Sequence, residues 1–153
     1  VVILRGGLLM LDACRASSDF GPWGLVLPVP HARGAHAKIL HIDVPQFGRD
    51  SCYLLVDPIV NSGDTVIATL QALDRAVGSH ASAQAKLACL FLTARGENAI
   101  GMRYPYLEIF AVWDGLSINE RGWVNGVRFD AGDCAMGGRE PPLAEPQYQI
   151  PQQ

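Results

Sequence analysis

A buried strand that ends on an acid and turns through a short glycine loop into a helix constrains this chain more than any other feature. The stretch Tyr53-Leu54-Leu55-Val56-Asp57-Pro58-Ile59-Val60-Asn61-Ser62-Gly63-Asp64-Thr65-Val66 has that form. Such a loop points successive backbone N–H groups at one place, and the helix that follows adds the positive end of its dipole. The arrangement suits an anion such as a phosphate, with Asn61, Ser62, Gly63 and Asp64 forming the loop and Thr65 adding a hydroxyl donor. Asp57 is placed to accept hydrogen bonds from ribose hydroxyls or to hold a metal. The same residues also suit an ordinary strand-turn-helix in which Asn, Ser and Asp act as caps, and the segment alone does not decide between the two.

Short apolar runs recur at Val1–Leu4, Trp23–Val26, Tyr53–Val56, Leu87–Leu92 and Leu107–Val112. Each is nearly continuous, as expected of parallel strands covered on both faces. Between them, Leu8 to Ala16 carries its apolar residues on one face. Thr65 to Val77 puts Val66, Leu70, Leu73 and Val77 at helical spacing, with Gly78 as a stop. Strands alternating with helices predict an α/β fold, a Rossmann-like open and mostly parallel sheet flanked by helices, with ligands beyond the carboxyl ends of the strands. Arg5-Gly6-Gly7 and the Asp57 to Thr65 stretch both fall at such ends. Residues 27–50 are rich in Pro, Gly and His without a clear period, which predicts a long excursion or flexible hairpin. From Gly138 onward no core-forming pattern remains, so the chain divides into a domain over 1–137 and a disordered tail over 138–153.

A length of 153 residues fits one domain, and 49% apolar against 18% charged residues fits a globular protein with a large core or an extra buried interface. The net charge of -3 and the lack of any Lys or Arg run argue against a nucleic-acid partner. A phosphate-bearing partner would be a small ligand in a focused site. Cys14, Cys52, Cys89 and Cys134 lie far apart with no Cys-x-x-Cys, which reads as reduced, mostly buried thiols. The interval of five between His31, His36 and His41 matches neither a helix face nor a strand face, so these and His80 read as solvated loop residues. Ser17, Ser18, Ser79 and Ser82 lack the elbow context of a nucleophile. No apolar run reaches the roughly 18 residues of a membrane span and nothing resembles a signal peptide, so no membrane partner and a cytoplasmic location are expected. The chain opens without Met inside an apolar run, which reads as a piece of a longer chain with N-terminal sequence ahead of its first strand.

Three segments resemble the uracil phosphoribosyltransferases. Ser62-Gly63-Asp64-Thr65 has the Thr/Ser-Gly-x-Thr/Ser form that closes the phosphoribosyltransferase diphosphate-sugar motif, and Val56-Asp57-Pro58 is similar to the uracil enzymes' Val-Asp-Pro. Ile3-Leu4-Arg5-Gly6-Gly7-Leu8 resembles their Ile-Leu-Arg-Ala-Gly-Leu. Asp130-Ala131-Gly132-Asp133 followed by Met136-Gly137 resembles their Gly-Asp-Ala-Gly-Asp-Arg-x-Phe-Gly. The matches keep the family's order and nearly its spacing over residues 1–137.

The resemblance implies transfer of a phosphoribosyl group from 5-phosphoribosyl 1-diphosphate (PRPP) to uracil, giving UMP and diphosphate. It implies Arg5 and Gly6 at the diphosphate, Asp57 at the ribose, and Asn61, Ser62, Gly63, Asp64 and Thr65 at the 5-phosphate. Uracil would be read by Val124, Gly126, Phe129, Asp130 and Ala131, with Asp57 and Asp130 the catalytic acids. Mg2+ would arrive mainly through PRPP oxygens, the region 27–50 would form a hood over the site, and the chain would form a homo-oligomer, at least a dimer.

The chain departs from the family at several places. The family's Pro-Gly before the base becomes Gly126-Val127, and its glycine before the acid becomes Phe129. Its donor-binding basic residue aligns with Leu27, for which Arg33 or Lys38 would be the substitute. Its Tyr-Tyr-x-Lys-Leu-Pro aligns with Leu40-His41-Ile42-Asp43-Val44-Pro45, its late Arg with Cys134, and an acid with Gly115 beside Asp114. Trp123 and Phe129 read as core aromatics when the resemblance is set aside. Phosphate-binding features therefore survive better than those of the base and hood. That pattern also fits a non-catalytic or regulatory relative that binds a nucleotide or partner chain, or a phosphoribosyltransferase for another base.

Overall fold

The structure is a computed structural model that describes residues 1–17, 21–29, 37–45, 52–78, 80–120, 123–127 and 131. Among these residues seven strands form one sheet: β1 (Val2–Ile3), β2 (Leu25–Val29), β3 (Lys38–Asp43), β4 (Tyr53–Val56), β5 (Ile59–Val60), β6 (Ala85–Thr93) and β7 (Glu108–Leu116). Among the described residues four helices intervene: α1 (Leu8–Ser17), α2 (Asp64–Val77), α3 (His80–Ala83) and α4 (Ala94–Arg103). The pairs β1–β2, β1–β4, β4–β6, β5–β6 and β6–β7 are parallel, and β2–β3 is antiparallel. The expected open, mostly parallel α/β sheet is the fold observed.

Topology places a crevice at a defined point. After β1 the chain passes through α1 to β2 on one side of β1, then returns to β4 on the other side. A reversal of this kind leaves room between the loops at the carboxyl ends of the two flanking strands. β4 and β5 both pair with β6, in the registers Val56↔Ala88 and Ile59↔Phe91, so they form one line interrupted at Asp57–Pro58.

Apolar periodicity explains why these segments fold as they do. Tyr53 and Leu55 of β4 and the buried Ala85, Leu87 and Cys89 of β6 face α2, which returns Val66, Leu70 and Leu73 to the same cluster, while Val56 is buried on the other face of the sheet. Burial of such side chains stabilises by about 1.5–3 kcal/mol each relative to leaving them in water. Ile100 of α4 completes that face. α4 has no apolar stripe, since Gly96 and Ile100 are its buried residues, and periodicity does not detect it.

Of the two readings of 27–50, excursion or hairpin, the described parts take the hairpin: β2 and β3 pair in register Leu25↔Asp43 and Val29↔Lys38, while residues 30–36 and 46–51 lie outside the described residues. β3 escapes the sequence pattern because it is a sheet edge with Lys38, Leu40, His41 and Asp43 exposed. One expectation changes: not every strand is covered on both faces, because Phe110, Val112 and Trp113 of β7 are exposed. The tail over 138–153 lies outside the described residues. Among the described residues no helix is long and apolar enough to cross a membrane.

Gly7 is the tightest point in the turn after β1: a Cβ there would stand 2.6 Å from both the Ile3 and Val56 carbonyl oxygens. Gly7→Ala is expected to destabilise the fold by about 1–3 kcal/mol in urea unfolding. Gly21→Ala, where nothing lies within 4 Å of the added carbon, serves as the control with little change.

Candidate active site at the carboxyl edge of the sheet

The turn that follows β1 brings the chain back on itself at once. The Gly7 N–H donates to the Ile3 carbonyl at 2.9 Å and the Leu8 N–H to the Arg5 carbonyl at 3.2 Å, after which α1 begins. The Leu4–Arg5 peptide bond is cis, a feature that no sequence signal marks. Arg5 itself is exposed at this edge. Gly6 lies where three distant segments meet: from the position its Cβ would take, Pro58 Cγ is 3.1 Å away and Ala131 Cβ 3.2 Å away.

Pro58 causes the break between β4 and β5. Proline has no N–H to give the ladder, so the strand jogs and its carbonyl is shared instead. The Pro58 carbonyl accepts from the N–H groups of Leu90 at 3.1 Å and Phe91 at 3.0 Å, and the Asp57 N–H donates to the Ala88 carbonyl at 3.2 Å. Asp57 is half-buried, and one carboxylate oxygen accepts from the Ile59 N–H at 3.4 Å. A local bond of this type turns the side chain back over the following peptide.

The glycine loop is formed as expected. Gly63 takes φ +79°, the left-handed region that glycine enters without penalty, and α2 starts immediately after it. The Gly63 carbonyl accepts the first helical bond from the Ile67 N–H at 2.9 Å. N–H groups in the first turn of a helix have no carbonyl of their own helix to bond. Asp64 is engaged locally: the Ser62 hydroxyl donates to its carboxylate at 2.7 Å, and its own N–H donates to Ser62 Oγ at 3.4 Å. A carboxylate in this position stabilises the helix start but competes with an incoming anion. The loop backbone and the half-buried Thr65 carry N–H and O–H groups that can donate to an anion, whereas the Asp64 carboxylate carries none.

Beyond β7 the chain makes a compact turn. Ile118 and Val124 form an antiparallel bridge, and the Asn119 N–H donates to the Trp123 carbonyl at 2.8 Å. The Asn125 N–H donates to the Ser117 carbonyl at 2.9 Å, and its side-chain amide donates to Ser117 Oγ at 2.7 Å. Gly126, exposed at φ +83°, lets the chain reverse, and the Val127 N–H donates to the Val124 carbonyl at 3.1 Å. Val124 and Ala131 are buried, whereas Trp123, expected in the core, is 40% exposed. Phe129 and Asp130 lie outside the described residues, as do Arg33 and Cys134.

The hood substitutions separate by position. Leu27 sits half-buried in β2 opposite His41, as a sheet residue with no charge to offer. Lys38, exposed and paired with Val29 at the carboxyl end of β2, reaches the same edge as the site, whereas Asp43 pairs with Leu25 at the opposite end. Asp114 and Gly115 are both exposed, with Gly115 at φ +63°. Among the described residues no group of three His, Cys, Asp or Glu side chains is placed to hold a metal ion.

Sequence reading missed Thr93. Its hydroxyl caps α4 by accepting from the Gly96 N–H at 2.9 Å, and donates to the Asn61 carbonyl in the glycine loop. A Thr that ends an apolar run ahead of Ala94-Arg95-Gly96-Glu97 is a recognisable cap signal, although nothing in it points to the loop. Cys89 lies behind the site. Burial first, and the nearby Asp57 carboxylate second, push its thiol up to about 12.

The family model for uracil phosphoribosyltransferase matches residues 1–136. A uracil phosphoribosyltransferase of Exiguobacterium sp. is 27% identical over 140 residues, and one of Metamycoplasma hominis 25% over 148, each alignment covering 90% of this chain and 64% of the relative. A uracil phosphoribosyltransferase of Methanococcus maripaludis is 25% identical over 138 residues, with 58% of its length covered. The chain thus spans about three-fifths of the length of these relatives. The solved structure of the AQ2163 protein from Aquifex aeolicus superposes with a TM-score of 0.70 at 19% identity, covering 86% of this chain and 61% of that one. That likeness concerns the fold.

Cys89 is buried and Cys52 exposed. In the folded protein Cys52 is expected to react with a small alkylating reagent at neutral pH at least about tenfold faster than Cys89, since the thiolate is the reacting species. Peptide mass mapping over time checks this. The raised thiol also has a stability consequence: the unfolded chain loses this proton near pH 9, while the folded chain keeps it up to about 12. The Cys89 contribution is therefore complete below pH 9 and falls as pH rises through that window.

Proposed function

The chain belongs to the uracil phosphoribosyltransferase family, and on that premise we propose that it binds PRPP at the β1–β4 crevice and transfers the phosphoribosyl group to uracil. The observation that carries this reading is the meeting of Gly6, Pro58 and Ala131. Each belongs to a different one of the three segments that resemble the family, and they come from positions more than fifty residues apart in the chain.

In this reading the donor's 5-phosphate lies at the Asn61 to Thr65 loop, in the field of the α2 amino terminus. Its ribose hydroxyls donate to Asp57. The diphosphate lies over the Arg5-Gly6-Gly7 turn, where the exposed Arg5 and the glycine backbone face the carboxyl edge. Uracil N1 attacks ribose C1 as the bond from C1 to the diphosphate oxygen breaks, and the N1 proton is lost. The ring passes through an oxocarbenium-like state, so most of the rate comes from holding donor and base in line and stabilising the leaving diphosphate. The segment from Val124 to Ala131, which includes Phe129 and Asp130, supplies the groups that read the base.

Mg2+ suits a site of this kind as a passenger of the donor. An ion that keeps several waters and binds through one carboxylate plus substrate oxygens needs no protein cage. Asp57 is the carboxylate that would face it, and the ion would neutralise charge on the departing diphosphate.

A second reading has one observation in its favour. Leu27 occupies a half-buried sheet position where the family has a donor-binding basic residue, and Lys38 across the strand pair is an exposed Lys at the same edge. A relative that holds a nucleotide without turnover, or that serves another base, would look like this.

Calorimetric titration with PRPP and Mg2+, followed by labelled uracil and product analysis, separates these readings. UMP formation supports the transferase. Donor binding without UMP supports the second reading, and no donor binding overturns both donor-based readings. Asp57→Asn is expected to weaken donor binding about ten- to a hundredfold, the cost of losing hydrogen bonds to a charged acceptor, without changing the unfolding midpoint appreciably. Unchanged donor affinity in that variant would remove Asp57 from the site.

A further inference from the structure

The floor of the glycine loop is another helix. Thr93 closes β6 and precedes α4, and the residue is 1% exposed. A Cβ on Gly96 would stand 2.6 Å from the Asn61 carbonyl oxygen and 3.2 Å from that of Val60. A Cβ on Gly63 would stand 2.9 Å from the Gly96 carbonyl oxygen and 3.0 Å from Ile100 Cγ1. Asn61 to Gly63 therefore rests backbone to backbone on the first turn of α4. The Thr93 hydroxyl bridges the two, donating to Asn61 and accepting from Gly96.

The orientation of one peptide unit follows. The Asn61 carbonyl and the Ser62 N–H belong to the same planar group and point in opposite directions. Fastening the carbonyl to α4 turns its negative end away from whatever lies above the loop and turns the Ser62 N–H away from α4. Without that bond the unit can rotate and present a carbonyl oxygen where a donor is needed. An anion site tolerates this poorly, because it exchanges an attractive dipole for a repulsive one.

We infer that Thr93 is a positioning residue for the phosphate loop, fixing the Asn61–Ser62 peptide so that the loop N–H groups face the donor's 5-phosphate. It touches no substrate and acts through the loop. The inference rests on the assignment of Asn61 to Thr65 as the 5-phosphate site. The role needs a hydroxyl, because one atom must both donate and accept. Serine keeps both functions, whereas valine keeps the shape and has neither.

The test compares wild type, Thr93→Val and Thr93→Ser by titration with PRPP and Mg2+, by the KM for each substrate, and by hydrogen exchange of the amides at 62–66. Thr93→Val is expected to bind PRPP about tenfold or more weakly with the uracil KM nearly unchanged, and Thr93→Ser to recover most of the loss. Faster exchange at 62–66 should accompany the weaker binding, without a matching rise across the rest of α2. Equal donor affinity in wild type and Thr93→Val would overturn the inference, as would an equal rise in both KM values that serine does not rescue. If Thr93→Val does not fold, Gly96→Ala displaces the same carbonyl with the hydroxyl intact and carries the same expectation. Wild type that fails to bind PRPP would refute the functional reading and, with it, the role at a donor phosphate. Hydrogen exchange would then decide the anchoring alone, and unchanged exchange in Thr93→Val would overturn that too.

Discussion

Backbone packs against backbone at Gly6 and Gly7, where the turn leaving β1 passes so close to β4 that no side chain fits. The Ile3 and Val56 carbonyl oxygens would each stand 2.6 Å from a Cβ at Gly7, and Pro58 and Ala131 close on Gly6 from two further segments. This contact lies on the side of β1 where strand order reverses, so it fixes the width of the crevice there. The position of Asp57, the start of the glycine loop and the approach of the chain at Ala131 all depend on it.

The apolar core makes such a contact affordable in free-energy terms without supplying any chemistry itself. Leu55, Leu70, Leu73 and Leu87 are fully buried, and α2 is held on the sheet by the same residues whose spacing defines it as a helix. With the helix fixed, its amino terminus is fixed too, and so is the loop that feeds it. A proline in the middle of a strand line would ordinarily weaken a sheet. Here the shared Pro58 carbonyl satisfies two N–H groups of β6 and leaves Asp57 at the corner, facing the edge where the loops gather. Local disruption of the ladder and placement of Asp57 at the corner are one event.

Much of this was legible in the sequence because it rests on local pattern. The strand-acid-loop-helix segment announces itself through Val56, Asp57, Gly63 and the spacing of Val66, Leu70 and Leu73, and the structure builds it in that form. Continuous apolar runs mark five of the strands, β1, β2, β4, β6 and β7, for the same reason. What the sequence concealed depends on contacts between distant parts. β3 is an exposed edge with no apolar alternation, and α4 buries little beyond Gly96 and Ile100. Thr93 reads as a helix cap, and only the fold shows that its hydroxyl reaches a loop thirty-two residues away. Trp123 was misplaced because a large aromatic predicts burial on average, whereas its turn lies at the surface beside Gly126. Phe129 and Asp130 lie outside the described residues.

In the proposed function one ligand site is assembled from three segments far apart in the chain. Hydrogen exchange read by mass spectrometry, with and without saturating PRPP and Mg2+, tests it most directly. The account predicts simultaneous protection of the amides at 5–8, 61–66 and 124–131, with the far end of the sheet around Trp23 and Cys52 unchanged. Protection confined to one of those segments, or spread evenly over the whole chain, would contradict it.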